Sequence, residues 1–455
     1  MFVSGCNVKH MDCMKALLHI FLLAAAVIPA QARHDGVMTL RDCMEYAVSN
    51  STKVRIQQAT VGDARIARRN AILSVFLPTL SGGSSASYSF GRNIDPETNT
   101  YINTVSFNNG YSLSASITLF NGFSAVNNLK ISQTSLKMGK TRELQAEADI
   151  CLAVMEAYYN VLYYQKLLEI YESQVATAEQ LVQKVRRQEE LGQKGHADVV
   201  QLEADLADRR YDLVNTRNLL ADHRVNLEDL LFWPGDEPLV IDDGVTALVP
   251  QPATGDSGLV DYALAHNPAV RLAAWTVENA RLELNTAKWQ ILPSVSLSSG
   301  WSTSYYSYQG NQTTPYFDML RSNAGEYIAM SVSIPIFNRL SRQSNIARRR
   351  NALVRATAEY DQKQRDVESE VRRAVQDRDG AEAAYEQAER KAEVQQEAYA
   401  LNTRKMEQGL ISPLEYQTAA NNYLRAGADR LNSLFKFLIK QSIVRYYGGE
   451  EYINQ

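Results

Sequence analysis

The sequence predicts an α+β membrane protein. Each chain gives four strands to a shared transmembrane β-barrel and several very long helices to a second wall, and the whole pattern is written twice. Three observations predict this. First, "YSLSASITLF" puts Tyr111, Leu113, Ala115, Ile117 and Leu119 on one face and Ser112, Ser114, Ser116 and Thr118 on the other. In "YIAMSVSIPIF" Ile328, Met330, Val332, Ile334 and Ile336 likewise alternate with Ala329, Ser331 and Ser333. Such period-two alternation gives a strand one apolar and one polar side. Second, a long charged stretch without proline follows each of these strands, as a long uninterrupted helix requires. Third, the junction itself repeats: Phe120-Asn121 returns as Phe337-Asn338, roughly 217 residues later.

Other segments repeat at the same interval. "AVSNSTKVR" (47–55) matches "ALAHNPAVR" (263–271), "FLPTLSGG" (76–83) matches "ILPSVSLSSG" (291–300), and "LGQKGHADVV" (191–200) matches "QGLISPLEYQ" (408–417). The predicted organisation is as follows. The first repeat covers 33–235, with a helix over 40–76, a strand pair over 79–120, a long helix over 122–191 and a return helix over 198–232. A belt linker covers 233–258 and is rich in Pro, Gly and Asp. The second repeat covers 259–447, with a helix over 259–290, a strand pair over 293–337, a long helix over 339–408 and a return helix over 412–447. A short tail covers 448–455. Each first helix stops at a Leu-Pro pair, because proline disfavours helical geometry in the residue before it.

The strands decide the architecture. Their polar side is almost wholly Ser and Thr, small and uncharged. Apolar-out, polar-in strands of about 10 residues with aromatic ends suit a transmembrane barrel. Four strands cannot close one, and open sheet edges are not tolerated in lipid. The barrel is therefore shared between chains: two chains give an interior filled by side chains, three give room for a channel. The predicted lipid-facing set is Leu113, Ile117, Leu119, Met330, Val332 and Ile334. The helices fit this plan. About 70 helical residues span roughly 105 Å, and the return helix of one repeat plus the first helix of the other reach a similar length. Leu144, Ala148, Cys151, Met155, Tyr158 and Leu162 recur at heptad-like steps, as do Val367, Val371, Ala374, Ala381 and Ala388. A half-buried soluble sheet or a free coiled-coil stalk would explain one half of the pattern and not the other.

The N-terminus reads as an export signal over 1–32: Lys15, an apolar run from Ala16 to Ile28, then Ala30-Gln31-Ala32 as a small-x-small cleavage site. The formal net charge of -4 speaks against nucleic acid as a partner, since such binders carry a basic face. Cys43 and Cys151 each lie in a helical pattern and read as buried small residues rather than a disulfide. No His-x3-His pair, Cys pair, Gly-x-Ser-x-Gly or phosphate loop is present, so no catalytic, metal or cofactor site is expected. The loops "FGRNIDPETNTY" (90–101) and "QGNQTTPYFDMLRSN" (309–323) read as polar connections.

The residues together resemble the TolC family of outer-membrane efflux proteins, over nearly the whole mature chain. "LRDCMEYAVSN" is similar to the family's opening helix, and "LPTLSGG" and "LPSVSLS" to its helix-to-strand breaks. "MEAYYNVLYYQK" and "YYGGE" also fit. The most specific pair is Gly192-x5-Asp198-Val199 and Gly409-x5-Glu415, which in the family form the tips of two helical hairpins at the periplasmic end. The resemblance implies a homotrimer with a twelve-stranded transmembrane β-barrel continuous with a long periplasmic α-helical barrel. It implies placement in the outer membrane, against its lipid. It also implies a periplasmic adaptor docked on tips containing Gly192, Asp198, Val199, Gly409, Leu414 and Glu415, with an inner-membrane efflux pump behind it. Such a duct would conduct small toxic molecules passively. A one-step protein secretion system would need the same duct, and a non-conducting envelope stalk is the structural alternative. Read physically, the tip glycines end one helix and the acids favour the start of the next. In a trimer, Asp198 and Glu415 would also ring the pore mouth. Where the family's gate uses an Arg, a Tyr and a second acidic ring, this chain has Ile411, Met406 and Thr418. The polar lock is absent in that form. No acylated Cys is present, unlike one branch of the family.

Overall fold

The computed structural model describes residues 37–94, 99–235, 239–242, 258–308 and 314–454. The expected export signal, most of the belt linker and part of each polar loop lie outside the described residues. The chain opens with α1 (Leu40–Asn50) and α2 (Thr52–Phe76), then the strands β1 (Thr79–Ile94) and β2 (Tyr101–Asn121). The long helix α3 (Ser124–Glu190) and the return helix α4 (His196–Leu231) close the first half. The second half repeats the order: α5 (Leu259–His266), α6 (Pro268–Trp289), β3 (Ser294–Tyr308), a short α7 (Tyr316–Ser322), β4 (Gly325–Ser333), the long α8 (Ser341–Glu407) and α9 (Pro413–Tyr447).

The first helix of each half is broken, where the sequence predicts one continuous helix. In the first half Ser51 leaves helical geometry and its hydroxyl accepts from the Val54 amide. In the second half Asn267 does the same for Ala269, and Pro268 opens α6. A capping side chain supplies an acceptor to amides that a new helix leaves free, and proline fits the first helical position.

The repeated Phe-Asn pair has a shared structural cause. Both long helices start after two successive left-handed residues, Gly122 and Phe123 in one half, Arg339 and Leu340 in the other. Asn121 Oδ1 accepts from the Ala125 amide at 3.0 Å, and Asn338 Oδ1 accepts from the Arg342 amide at 3.4 Å. The chain turns sharply from strand to helix, and the asparagine caps the result.

Each long helix has 67 residues, about 100 Å at 1.5 Å per residue. The short helices of a half pack along the long helix of the same half, α2 and α4 on α3 and α6 and α9 on α8, while α6 also lies against α3. The largest core surrounds the middle of α3. It joins Met38, Cys43, Met44 and Ala47 to Cys151, Val154, Met155 and Tyr158, with Leu227 and Leu231 from α4. Met38 forms a parallel bridge with Ile241, so the described part of the linker straps this level. Cys43 and Cys151 are buried and free. Burial pushes both thiols up to about 12, with a small push from Asp42 on Cys43 and from Glu147 and Glu451 on Cys151.

The strands form one antiparallel sheet in the order β1-β2-β3-β4. Three of them exceed the expected length of about ten residues: β1 has 16, β2 has 21 and β3 has 15. A bilayer needs only about 9–11 tilted residues, which matches the 9 of β4. β3 therefore runs past the start of β4. There α7, part of the segment expected as a loop, covers the open edge: Thr303 Oγ1 donates to the Leu320 carbonyl, and Asn323 Nδ2 donates to the Ser304 carbonyl at 2.8 Å.

Candidate functional site

Two regions could carry function: the faces of the sheet and the tips of the helical hairpins. The register fixes the sheet faces. Ser81, Ser114 and Gly300 stand opposite one another across three strands, as do Thr79, Ser116 and Ser298. Ser296 and Ser331 continue the row. Neighbouring hydroxyls bond directly, Thr79 to Ser116 and Ser81 to Ser114 at 2.8 Å, Ser296 to Ser331 at 3.3 Å. On the other face Leu113 meets Trp301, Ile117 meets Leu297, Leu297 in turn meets Met330, and Val295 meets Val332.

Neither face is covered by a core. Ile328 is 81% exposed and Met330 68%, an apolar surface that single soluble chains do not present. Two members of the expected apolar set are exposed but lie outside the ladder. Leu119 falls in a bulge between Thr118 and Phe120 and has no partner on β3; Phe120 takes the place opposite Val295. Ile334 lies just past the end of β4. The Pro335 that follows it has no N–H to give to a ladder.

At the far end of the long helices the two hairpins turn alike. Gly192 has φ +71 and Gly409 φ +72, a left-handed geometry that favours glycine. The Gly192 amide donates to the Glu189 carbonyl and the Gln193 amide to Gln188; Gly409 and Leu410 repeat this with Met406 and Lys405. This is the two-bond helix stop expected of a C-terminal glycine. The second tip then restarts with a reciprocal cap. The Glu415 amide donates to Ser412 Oγ at 3.3 Å, and the Glu415 carboxylate accepts from the Ser412 amide at 2.9 Å. The first tip has Gly195 at this place, with no side-chain cap. Glu415 is thus engaged in capping, whereas Asp198 has no capping partner of that kind.

The tips lie together. Gln201 Nε2 donates to Gln417 Oε1 at 3.1 Å across the hairpins. Val199, expected as a docking residue, is only 3% exposed. It packs with Leu181, Val182, Val185, Leu202, Met406 and Tyr416 and holds the two hairpins together. Leu414 is exposed, and so are Leu191, Val200 and Leu410, which pattern reading passes over. The signal for them was apolar residues beside a solvent-exposed glycine turn. Met406 is buried, Ile411 packs partly buried against the same cluster, and Thr418 Oγ1 donates to the Leu414 carbonyl at 2.9 Å.

Above this apolar cluster lies a buried polar node that the sequence did not announce. Arg209 Nε donates to Asp205 Oδ2 at 2.7 Å, with both side chains less than one tenth exposed. Arg209 Nη1 donates to Gln174 Oε1 at 3.0 Å, and Tyr399 and Tyr416 join by their hydroxyls at 3.0 Å. Burial, then the neighbouring Tyr399, keeps the Tyr416 hydroxyl protonated well above its ordinary range. α3, α4, α8 and α9 all contribute to this node.

Among the described residues no group of three His, Cys, Asp or Glu could hold a metal, and no helix is long and apolar enough to cross a membrane.

The profile of the family described as outer membrane efflux protein matches residues 47–231 and 259–437. Several solved structures share the fold. CusC matches at 21% identity with TM-score 0.75, covering 90% of this chain and 91% of that one. VceC from Vibrio cholerae matches at 16% identity with TM-score 0.72, covering 90% and 96%. The CmeC outer membrane channel of Campylobacter jejuni matches at 16% identity with TM-score 0.72, covering 91% and 86%. No curated protein matches the chain in sequence.

Proposed function

Since the chain belongs to the outer membrane efflux protein family, we propose that it is the outer-membrane exit duct of a tripartite efflux pump. It conducts small toxic molecules passively from a periplasmic adaptor and an inner-membrane pump to the outside. The observation that carries this reading is the uncovered four-stranded sheet, apolar on one face and lined with small hydroxyl side chains on the other. Its outer edges, on β1 and β4, have no partner strand within the described chain. Three chains joined edge to edge make a twelve-stranded barrel whose apolar face meets lipid and whose Ser/Thr face lines water. Leu113, Ile117, Met330 and Val332 face the lipid. A stalk with no cargo would fill that inner face with bulky side chains.

The helical hairpins extend into the periplasm. Their tips, with Leu191, Leu410 and Leu414 exposed around Gly192 and Gly409, present an apolar rim to an adaptor. Asp198 and Glu415 stand at the mouth and favour cations there. The chain itself needs no catalytic group and no cofactor.

The test is dye accumulation in Gram-negative cells that depend on this chain for export. Leu410→Arg with Leu414→Arg raises ethidium accumulation several-fold at unchanged trimer amount. Unchanged accumulation contradicts docking at the tips.

A further inference from the structure

The charge of the chain is segregated along its length. No Asp or Glu occurs between Asp63 and Asp95, between Glu97 and Glu143, or between Glu326 and Glu359. These windows contain β1, β2, all of β4 after Glu326, and the helix ends joined to them. The same helix ends are rich in basic residues. α2 carries Arg65, Arg68 and Arg69. α3 carries Lys130, Lys137 and Lys140 before its first acid. Arg339 stands in the turn before α8, and Arg342, Arg348, Arg349 and Arg350 follow in its first three turns. All but the half-buried Arg342 are exposed. Arg349 pairs with Glu283 of α6 at 2.5 Å and Lys137 lies over the Trp275 ring at 4.4 Å, while no ion pair to an acid holds the others among the described residues. The chain as a whole has net charge -4, so this excess is local and is offset elsewhere.

The position of the excess is fixed by aromatic residues. Phe120, Phe123 and Trp289 meet edge to face at the strand-to-helix junction, with centroids 5.2 and 5.4 Å apart. Phe76, which ends α2, and Phe337, just before the turn into α8, are also exposed. A ring of aromatics at the end of an apolar band marks the depth of the lipid headgroups. Lys130 lies six residues from the start of α3, Arg348–Arg350 seven to nine from the start of α8, and Arg69 seven from the end of α2. At 1.5 Å per residue these are about 9–14 Å below the junction, and long basic side chains extend their heads toward an interface. Unpaired like charges at four-residue spacing, as at Arg65 and Arg69, oppose their own helix. Nothing in the described chain compensates them.

We propose that these residues form a basic collar that binds the phosphates of anionic phospholipids in the leaflet facing the periplasm. The inference rests on the outer-membrane placement proposed above. Phosphate diester headgroups supply the missing anion at the depth where the collar begins, and juxtamembrane basic clusters select anionic lipid in this way. Arg350, Arg348 and Arg69 carry the largest share, because they are exposed, unpaired and within about three turns of the junction.

The test uses the full-length protein reconstituted in phosphatidylcholine vesicles with a trace of spin-labelled phosphatidylglycerol or spin-labelled phosphatidylcholine. The spectrum reports how much of each lipid is immobilised at the protein surface. The expected result is at least a threefold preference for phosphatidylglycerol, falling toward one in 0.5 M salt and in Arg69→Gln/Arg348→Gln/Arg350→Gln. Immobilised lipid with no preference, or a preference unchanged in the triple variant, overturns the collar and leaves the membrane placement intact. A variant that keeps its lipid preference but changes the ion selectivity of the pore also overturns it, since the charges would then face the duct. No immobilised lipid of either kind would refute the membrane placement itself.

Discussion

Arg209 and Asp205 show how the lower hairpins are held. Both are buried, and Arg209 Nη2 has no partner among the described residues. A buried charge that loses its partner costs about 3–5 kcal/mol, while replacing the whole pair by apolar groups is often neutral or better. Asp205→Ala is therefore expected to lower stability by ~3–5 kcal/mol, and Asp205→Leu with Arg209→Met to cost far less, as read from denaturation midpoints of the purified protein. Equal losses would show that the pair acts through packing. Glu147 makes a second prediction. Burial, then Glu143 and Glu451, raises its carboxyl pKa in the folded chain. A raised acid binds its proton more tightly when folded, so its unfavourable effect grows as pH rises through the folded value. Glu147→Gln raises the melting temperature at neutral pH, and the gain shrinks as pH falls toward the ordinary carboxylate range. A gain independent of pH would assign the effect to packing.

At the scale of elements, the two faces of the sheet make opposite demands. Val332→Asp places a charge on the apolar face and should cost somewhat less than the roughly 2–4 kcal/mol of an Arg or Lys at mid-membrane, seen as loss of heat-resistant oligomer in the membrane fraction. Ser331→Asp, one residue away on the hydroxyl face, should leave assembly nearly intact. Equal tolerance would undo the assignment of faces. The alternation of β2 was legible because Ser and Leu differ sharply and the period is two. The bulge at Leu119 was not, because a strand written Ile-Thr-Leu-Phe keeps its alternation on paper while the ladder skips a residue. The helix break at Asn267–Pro268 carries a cap and a proline in plain sight. The break at Ser51 carries only a serine, and helical spacing continues on both sides of it. The tip glycines were legible from their repeat, but Val199 was misjudged as a docking residue: next to the half-buried Asp198, it is buried in the apolar cluster. The Arg209 node was hidden because acids and bases four residues apart look alike on buried and solvated helix faces.

For the whole molecule, duplication explains most of the design. Equivalent residues of the two halves recur at the strand junctions, the long-helix starts and the tips, so two similar hairpins and two strand pairs stand side by side in one chain. The halves differ where function can differ: Ser412 and Glu415 cap the second tip, and Gly195 leaves Asp198 uncapped at the first. An exit duct requires that copies of this chain enclose a conducting path. The most direct measurement is the mass of the purified protein in detergent together with its single-channel conductance in a planar bilayer. The predicted result is three chains per particle and small, long-lived steps that prefer cations, with the preference reduced by Asp198→Asn and Glu415→Gln. A single chain per particle, or a trimer that stays non-conducting even when the tips are loosened by Gly192→Val and Gly409→Val, would contradict it.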